Sequence, residues 1–337
     1  MQDSHQEQAE NQPTPLPTDT PIASLWQRFA AWMVDAILLG LAGQALGWLF
    51  ADWLFTIGPY GRLLGLLIIL PYFGLLNSSV GNGQTVGKRL MKTTVSDANG
   101  RPITPLRSLA RTTLLVLPFL LGGWALPAFE NRVLAFLSAW ILFGLGGAIL
   151  YTMIFNRGAQ QGFHDLLYQT YVIKVNAVAE VPLPRTKSVH WAFAGVWMLL
   201  TAIFLFFLQA DNPSYIPNPS STRIREIQQT LASDPRFFTV TVRDQTITPE
   251  KDPAYRSLVI DVWTVGQLPE DSRWEIARRI AGQALHNMKG IDEFDQIQVK
   301  LTYGYDIGIA SYSSGFWYSN PVEEWQSILV EKSSTGG

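Results

Sequence analysis

Residues 25–50, LWQRFAAWMVDAILLGLAGQALGWLF, form an almost unbroken apolar run. At ~1.5 Å per helical residue such a run crosses a bilayer core of ~30 Å with some tilt. Two charges interrupt it. Arg28 lies in the first turn, where a long side chain reaches the headgroups at little cost. Asp35 lies ten residues in, close to the midplane, where a charge costs ~2.5–3.5 kcal/mol on insertion scales. A short carboxylate cannot snorkel from that depth. The seven-residue spacing puts Arg28 and Asp35 on one helix face but about 10 Å apart along the axis, beyond a direct ion pair. Asp35 must therefore be uncharged, held by another helix, or open to a wet cavity. Two readings stay open: a hydrogen-bonded packing group, or a proton- or ion-binding site.

Composition sharpens this only through its distribution. Apolar runs crowd the first 209 residues, and charged residues make up 15 % of the chain, below the ~25 % usual in soluble domains. The net charge of −2 implies no nucleic-acid partner. The chain contains no cysteine, which excludes disulfides, thiolate metal sites and cysteine nucleophiles.

Residues 1–24 carry four acids and no Lys or Arg; they read as a disordered cytoplasmic tail without the basic start of a signal peptide. The first helix is thus a retained span. Ala51–Tyr60 reads as a short connection. Further spans are expected at residues 61–77, 106–126 and 133–155, then a linker at 177–190 and a fifth span at 191–208. The segment between spans two and three carries Lys88, Arg89, Lys92, Arg101, Arg107 and Arg111, and the one between spans four and five carries Arg157, Lys174, Arg185 and Lys187. The opposite loops hold Arg62 and Arg132. By the positive-inside rule the N-terminus is expected in the cytoplasm and the C-terminal domain outside an inner membrane.

Glycines recur four apart at Gly43 and Gly47 and at Gly61 and Gly65, with Gly144, Gly146 and Gly147 further on. Such spacings let helix backbones approach, within one chain or between two copies. Pro71 and Pro118 fall near the middles of their spans and free the carbonyls of Leu67 and Leu114. With Asp35 at similar depth, those oxygens would suit a proton or a small hard cation.

The loop Gly83–Arg101, GQTVGKRLMKTTVSDANGR, invites a phosphate-loop reading that fails. Asn82 replaces the required glycine, and Arg89 stands where a metal-binding hydroxyl belongs. A hairpin, Lys92–Ser96 against Arg101–Ile103 across the Asp97–Gly100 turn, fits better. Its basic residues are expected to lie on anionic headgroups, each gaining ~1 kcal/mol. A second basic segment, Asn156–Val175, contains His164 next to Asp165. That pair suits either proton handling or a helix-terminal anchor.

Taken together, Arg28, Asp35, the loop Gly83-Gln84-Thr85-Val86-Gly87-Lys88-Arg89, Asp97 in its turn and His164-Asp165 resemble the RDD family of bacterial membrane proteins. The resemblance covers about residues 24–176. The family is named for one arginine and two aspartates; Arg28 and Asp35 match the first two, and the second aspartate is either Asp97 or Asp165. The resemblance implies a helical membrane domain and a suggested link to transport, with sodium/proton antiport proposed for some members.

Residues 210–337 hold 12 Lys/Arg and 17 Asp/Glu. After a linker at 210–221, a helix is expected at 222–232, strands at 237–243 and 256–265, and a helix at 269–288. Two more strands follow near 295–303 and 306–313, joined through Gly304. Alternation at Leu258, Ile260 and Val262 and at Ile297, Val299 and Leu301 predicts a small α+β domain with an antiparallel sheet. The Asp292-Glu293-Asp295 cluster reads as a solvated turn rather than a metal site, and Tyr312–Tyr318 as a packed strand or a binding edge.

The expected fold class is therefore an α-helical polytopic membrane protein of about five transmembrane helices followed by a small α+β domain. Two functions compete. One is transport of a small ion or ligand coupled to a protonatable Asp35. The other is a non-catalytic scaffold whose outer domain, residues 222–337, binds an envelope partner. No nucleophile–base arrangement points to an enzyme, no cofactor is implied, and homo-oligomer formation through the glycine-lined spans stays open.

Overall fold

A computed structural model describes residues 21–122, 132–175, 183–210, 219–248, 253–288 and 290–335. Helix α1 runs over Leu25–Leu49. It is opened by a reciprocal cap: Gln27 N–H donates to Ser24 Oγ at 3.3 Å, and Ser24 N–H donates to Gln27 Oε1 at 3.0 Å. Helix α2, Ala51–Ile57, leads through a tight turn at Gly58–Tyr60 into α3, Gly61–Leu76. The segment 51–60, expected as a connection, is thus helical. Gly58, at φ +54°, supplies a backbone conformation that L-residues rarely adopt.

Among the described residues, four stretches are long and apolar enough to cross a membrane: Leu25–Leu49, Ala51–Leu76, Val133–Phe155 and Ser188–Leu208. The third is α6, Arg132–Ala139, a π-helical turn at Trp140–Leu145, and α7, Gly146–Phe155. The fourth lies in α9, Ser188–Ala210. The helix expected at 106–126 forms as α5, Pro105–Leu121, and is not among the four. Its 17 residues rise only about 25 Å and carry Arg107 and Arg111; residues 123–126 lie outside the described residues.

Between α3 and α5 lie the single-turn helix α4, Val86–Leu90, and strand β1, Thr93–Ser96. After α7 come α8, Phe163–Leu167, and β2, Tyr171–Lys174. The expected local hairpin does not form. β1 pairs antiparallel with β2, with Val95 opposite Val172. Pro102 has no N–H to offer a ladder, whereas β2 brings the buried Val172 into one small core with Val95, Ala23 and Ile103. Pro21–Ser24, assigned to the tail, join this layer: Ala23 N–H donates to Val172 O at 3.0 Å and Lys174 N–H to Pro21 O at 2.9 Å.

The chain divides into two compact units. One comprises residues 1–35, 70–115 and 147–197, the other residues 36–69, 116–146 and 198–337. The second contains the C-terminal domain: α10 (Pro219–Ala232), β3 (Phe237–Ile247), β4 (Tyr255–Thr264), α11 (Glu270–Asn287), β5 (Gln296–Asp306), β6 (Ser311–Pro321) and α12 (Val322–Thr335). Strand order is β3-β4-β5-β6. The sheet is mixed rather than antiparallel, because α11 carries the chain across so that β5 runs parallel to β4. Leu258, Ile260, Val262, Ile297, Val299 and Leu301 face the helices and pack on Ile276, Ile280 and Trp325.

The β5–β6 turn also departs from expectation. β5 continues through Gly304 to Asp306, and the reversal falls at Ile307–Ala310. This tip occupies the seat formed by the paired glycines. A Cβ on Gly61 would lie 2.8 Å from Asp306 O, and one on Gly43 would lie 2.9 Å from Ala310 Cβ. Gly47 and Gly65 abut Tyr305 Oη and Ile307 O. These glycines therefore admit the hairpin rather than a second helix. Arg62 Nε donates to Asp306 Oδ2 at 2.7 Å beside it. Gly146 and Gly147 do serve helix packing, against Pro118 and Trp197.

Candidate functional site

The residues singled out by the loop and first-helix motifs converge within the first unit. Asp35, halfway along α1, is 1 % exposed and is held by donors from two segments. Tyr72 Oη of α3 donates to Oδ1 at 2.7 Å, Thr85 Oγ1 to Oδ2 at 2.6 Å, and Gly87 N–H to Oδ1 at 2.8 Å. Of the three states the depth of Asp35 allowed, the partnered one is realised.

Each motif position in the loop has a local reason. Gly83 has φ +72°, and its surroundings, Val95 O and Thr94 Oγ1, leave no room for a side chain. Gln84 Nε2 donates to Thr93 O at 2.9 Å. Thr85 caps α4, accepting from Lys88 N–H at 3.3 Å while its hydroxyl donates to Asp35. A Cβ at Gly87 would collide with Ala31 O and come within 3.0 Å of Asp35 Cγ, so α4 lies directly on the α1 backbone. Lys88 is half-buried and donates through Nζ to Asn77 Oδ1 at 2.7 Å. It therefore points inward, away from the headgroup position expected for it, whereas Arg89 and Lys92 are exposed.

Asp165 is the second centre. Arg111 Nη2 lies 2.6 Å from Oδ1, with Arg111 Nε donating to the same oxygen at 2.7 Å. Arg28 Nη1 lies 3.6 Å from Oδ2, and Thr170 Oγ1 donates to Oδ1 at 2.8 Å. His164 Nε2 sits 3.5 Å from Oδ2. Arg28 also donates to Ala23 O, Val172 O and Gln160 O, so one guanidinium ties the start of α1 to β2 and the α8 loop. Burial alone would raise the Asp165 carboxyl, but Arg111 first, then His164, Arg28 and Thr170, hold it below the ordinary range. Burial pushes His164 down to about 4, against a smaller pull from Asp165, so the imidazole is neutral at pH 7. Burial, then Arg111, pushes Lys88 down to about 7.

Asp97 is elsewhere. Its Oδ1 accepts from Asn99 N–H at 2.8 Å and Arg101 N–H at 2.9 Å, which makes it a turn residue. Geometry thus joins Arg28 to Asp165 and not to Asp97. Sequence reasoning missed Tyr72 and Arg111. Arg111 was counted among loop cations; its signal was a charge seven residues inside an apolar helix, which calls for a buried acid.

In the C-terminal domain two members of the acidic cluster are engaged within the fold. Glu293 meets Arg223 at 3.3 Å and Arg256 at 3.2 Å, and Asp295 Oδ2 accepts from Arg256 N–H at 2.7 Å. The aromatic run 312–318 lies on β6, one of the two edge strands of this sheet.

Four long apolar helices, a buried network of two acids and their cationic and hydroxyl partners, and a mixed-sheet domain define a multi-pass membrane protein with an appended α+β domain. Residues 22–169 match the sequence profile of the RDD family, and this part of the chain is an RDD domain. No curated protein and no solved structure matches the chain.

Proposed function

We propose that this chain is a non-catalytic membrane protein whose RDD domain anchors an envelope-facing recognition domain. In this reading the buried charges lock the RDD segments together rather than line a transport path. One observation carries it: both oxygens of Asp35 are engaged by Tyr72, Thr85 and Gly87, donors from α3 and the α4 loop. A transported cation would have to displace those donors at each cycle. The seating of the β5–β6 tip against Gly43, Gly47, Gly61 and Gly65 supports the anchoring role.

The orientation inferred is cytoplasmic N-terminus and external C-terminal domain, in the inner membrane of a bacterium; it takes α5 as a fifth crossing beside the four longer apolar helices. Eleven Lys and Arg lie in residues 1–35, 70–115 and 147–197, against two in residues 36–69, 116–146 and 198–208, which supports it by the positive-inside rule. Exposed Arg89 and Lys92 support contact with anionic lipid.

The test is flux in proteoliposomes carrying the full chain, wild type against Asp35→Asn and Asp35→Leu. The lock predicts no proton- or cation-coupled flux dependent on Asp35, and loss of folded protein for Asp35→Leu. Coupled flux abolished by Asp35→Asn in a protein that stays folded would establish transport instead.

A further inference from the structure

We propose that Lys88 is a proton-binding site that controls whether the α4 loop stays docked on α1. The inference goes beyond the anchoring role and stands whether or not ions cross the protein.

The argument begins with a count of charges. The charged and titratable groups that act electrostatically on Lys88 are Arg28 and Asp35 on α1, Arg111 on α5, and His164 and Asp165 on α8; Arg89, its neighbour on α4, is exposed. Asp165 is committed to Arg111 at 2.6 Å and Arg28 at 3.6 Å. Asp35 is committed to the hydroxyls of Tyr72 and Thr85 and the N–H of Gly87. What remains for the Lys88 ammonium is the neutral amide oxygen of Asn77, 2.7 Å away on a residue 1 % exposed. With Lys88 protonated, Arg28, Arg111 and Lys88 are three cations beside two carboxyl groups; with Lys88 neutral, there are two of each. Burial and the nearby Arg111 bring this change to about pH 7.

The second part is connectivity. Lys88 shares one helical turn with Gly87 and follows Thr85 by three residues, and these two donors hold Asp35. Lys88 is half-buried with its ammonium turned onto Asn77, so a proton there gains fuller hydration as α4 moves outward. That movement draws Gly87 N–H and Thr85 Oγ1 off Asp35. Proton binding and undocking are thus one event, favoured below neutrality.

Because the chain lacks cysteine, a single probe reports cleanly. Leu90, on α4 and 64 % exposed, is replaced by Cys and labelled with an environment-sensitive fluorophore in the full chain, held in nanodiscs of zwitterionic lipid. Emission is followed from about pH 5.5 to about pH 8.5, below the ordinary lysine range. The expected result is one transition centred near 7 in the Leu90→Cys protein. Lys88→Met in that background holds the high-pH signal throughout, and Lys88→Arg holds the low-pH signal. If Lys88→Arg fails to fold, Lys88→Met decides alone. A flat profile with Lys88 present, or a transition that survives in either substituted protein, overturns the proposal.

Discussion

Arg111 and Asp165, 54 residues apart in the chain, meet at 2.6 Å with both side chains buried. Removing one member of such a pair strands the other charge, which costs ~3–5 kcal/mol, far more than the net worth of the pair. Arg111→Met is therefore expected to lower the thermal midpoint in detergent strongly, followed by tryptophan fluorescence. The double variant Arg111→Met/Asp165→Asn should recover part of the loss. A double variant less stable than the single one would show that the pair is not what Arg111 supplies.

Docking of α4 on α1 turns on a missing side chain. Gly87→Ala places a methyl against Ala31 O and Asp35, an overpacking of ~1–3 kcal/mol. Trypsin should then cut at the exposed Arg89 several-fold faster. Gly158→Ala, where a Cβ meets nothing within 4 Å, is the control and should leave cleavage unchanged.

At the opposite end of α3, Gly65 abuts Ile307 O. Gly65→Ala is expected to loosen the β5–β6 tip. Hydrogen exchange at the Ile307 amide, which donates to Ala310 O at 3.0 Å, should rise by an order of magnitude or more for ~1–3 kcal/mol of overpacking. Exchange in the β4–β5 centre should not change. Unchanged protection at residue 307 would mean that the seat adapts to a methyl.

His164 sets a direction for the pH dependence. Its folded value, about 4, lies below the ordinary 6.5, so the unfolded chain takes up the proton first. Its contribution to stability is full above pH 6.5 and is lost as pH falls toward about 4. Asp165, also depressed, adds to the loss in the same direction once pH falls below 3.8. His164→Gln should flatten the decline in thermal midpoint between pH 6.5 and about 4. An identical slope in this variant would assign the decline to other groups.

For topology, a periplasm-active reporter fused after Gly337 should be active, and the same reporter placed in the 97–100 turn should be silent. The reverse pattern would invert the orientation read from the basic residues.

The membrane helices, the α+β class of the C-terminal domain and its core strands were legible in the sequence, because period and apolar length are local properties. So were Arg28, Asp35, the GQTVGKR loop and Asp165 as marked positions, since a charge in an apolar helix or a glycine in a polar loop stands out without context. The pairings were not legible. Local spacing suggests a β1 hairpin, but the proline at 102 and the buried Val172 of β2 send β1 to a distant partner, with Val95 opposite Val172, 77 residues on. That Arg28 meets Asp165 and not Asp97 needed three-dimensional distance, because each is an acid beside basic residues in the chain. Four glycines read as helix-packing sites became the seat of a hairpin more than two hundred residues distant, since a small residue records close approach without recording by what. The inward turn of Lys88 was likewise a tertiary outcome: the chain shows a cation in a basic loop, and only Asn77 below it and Gly87 flat on α1 decide that it points inside.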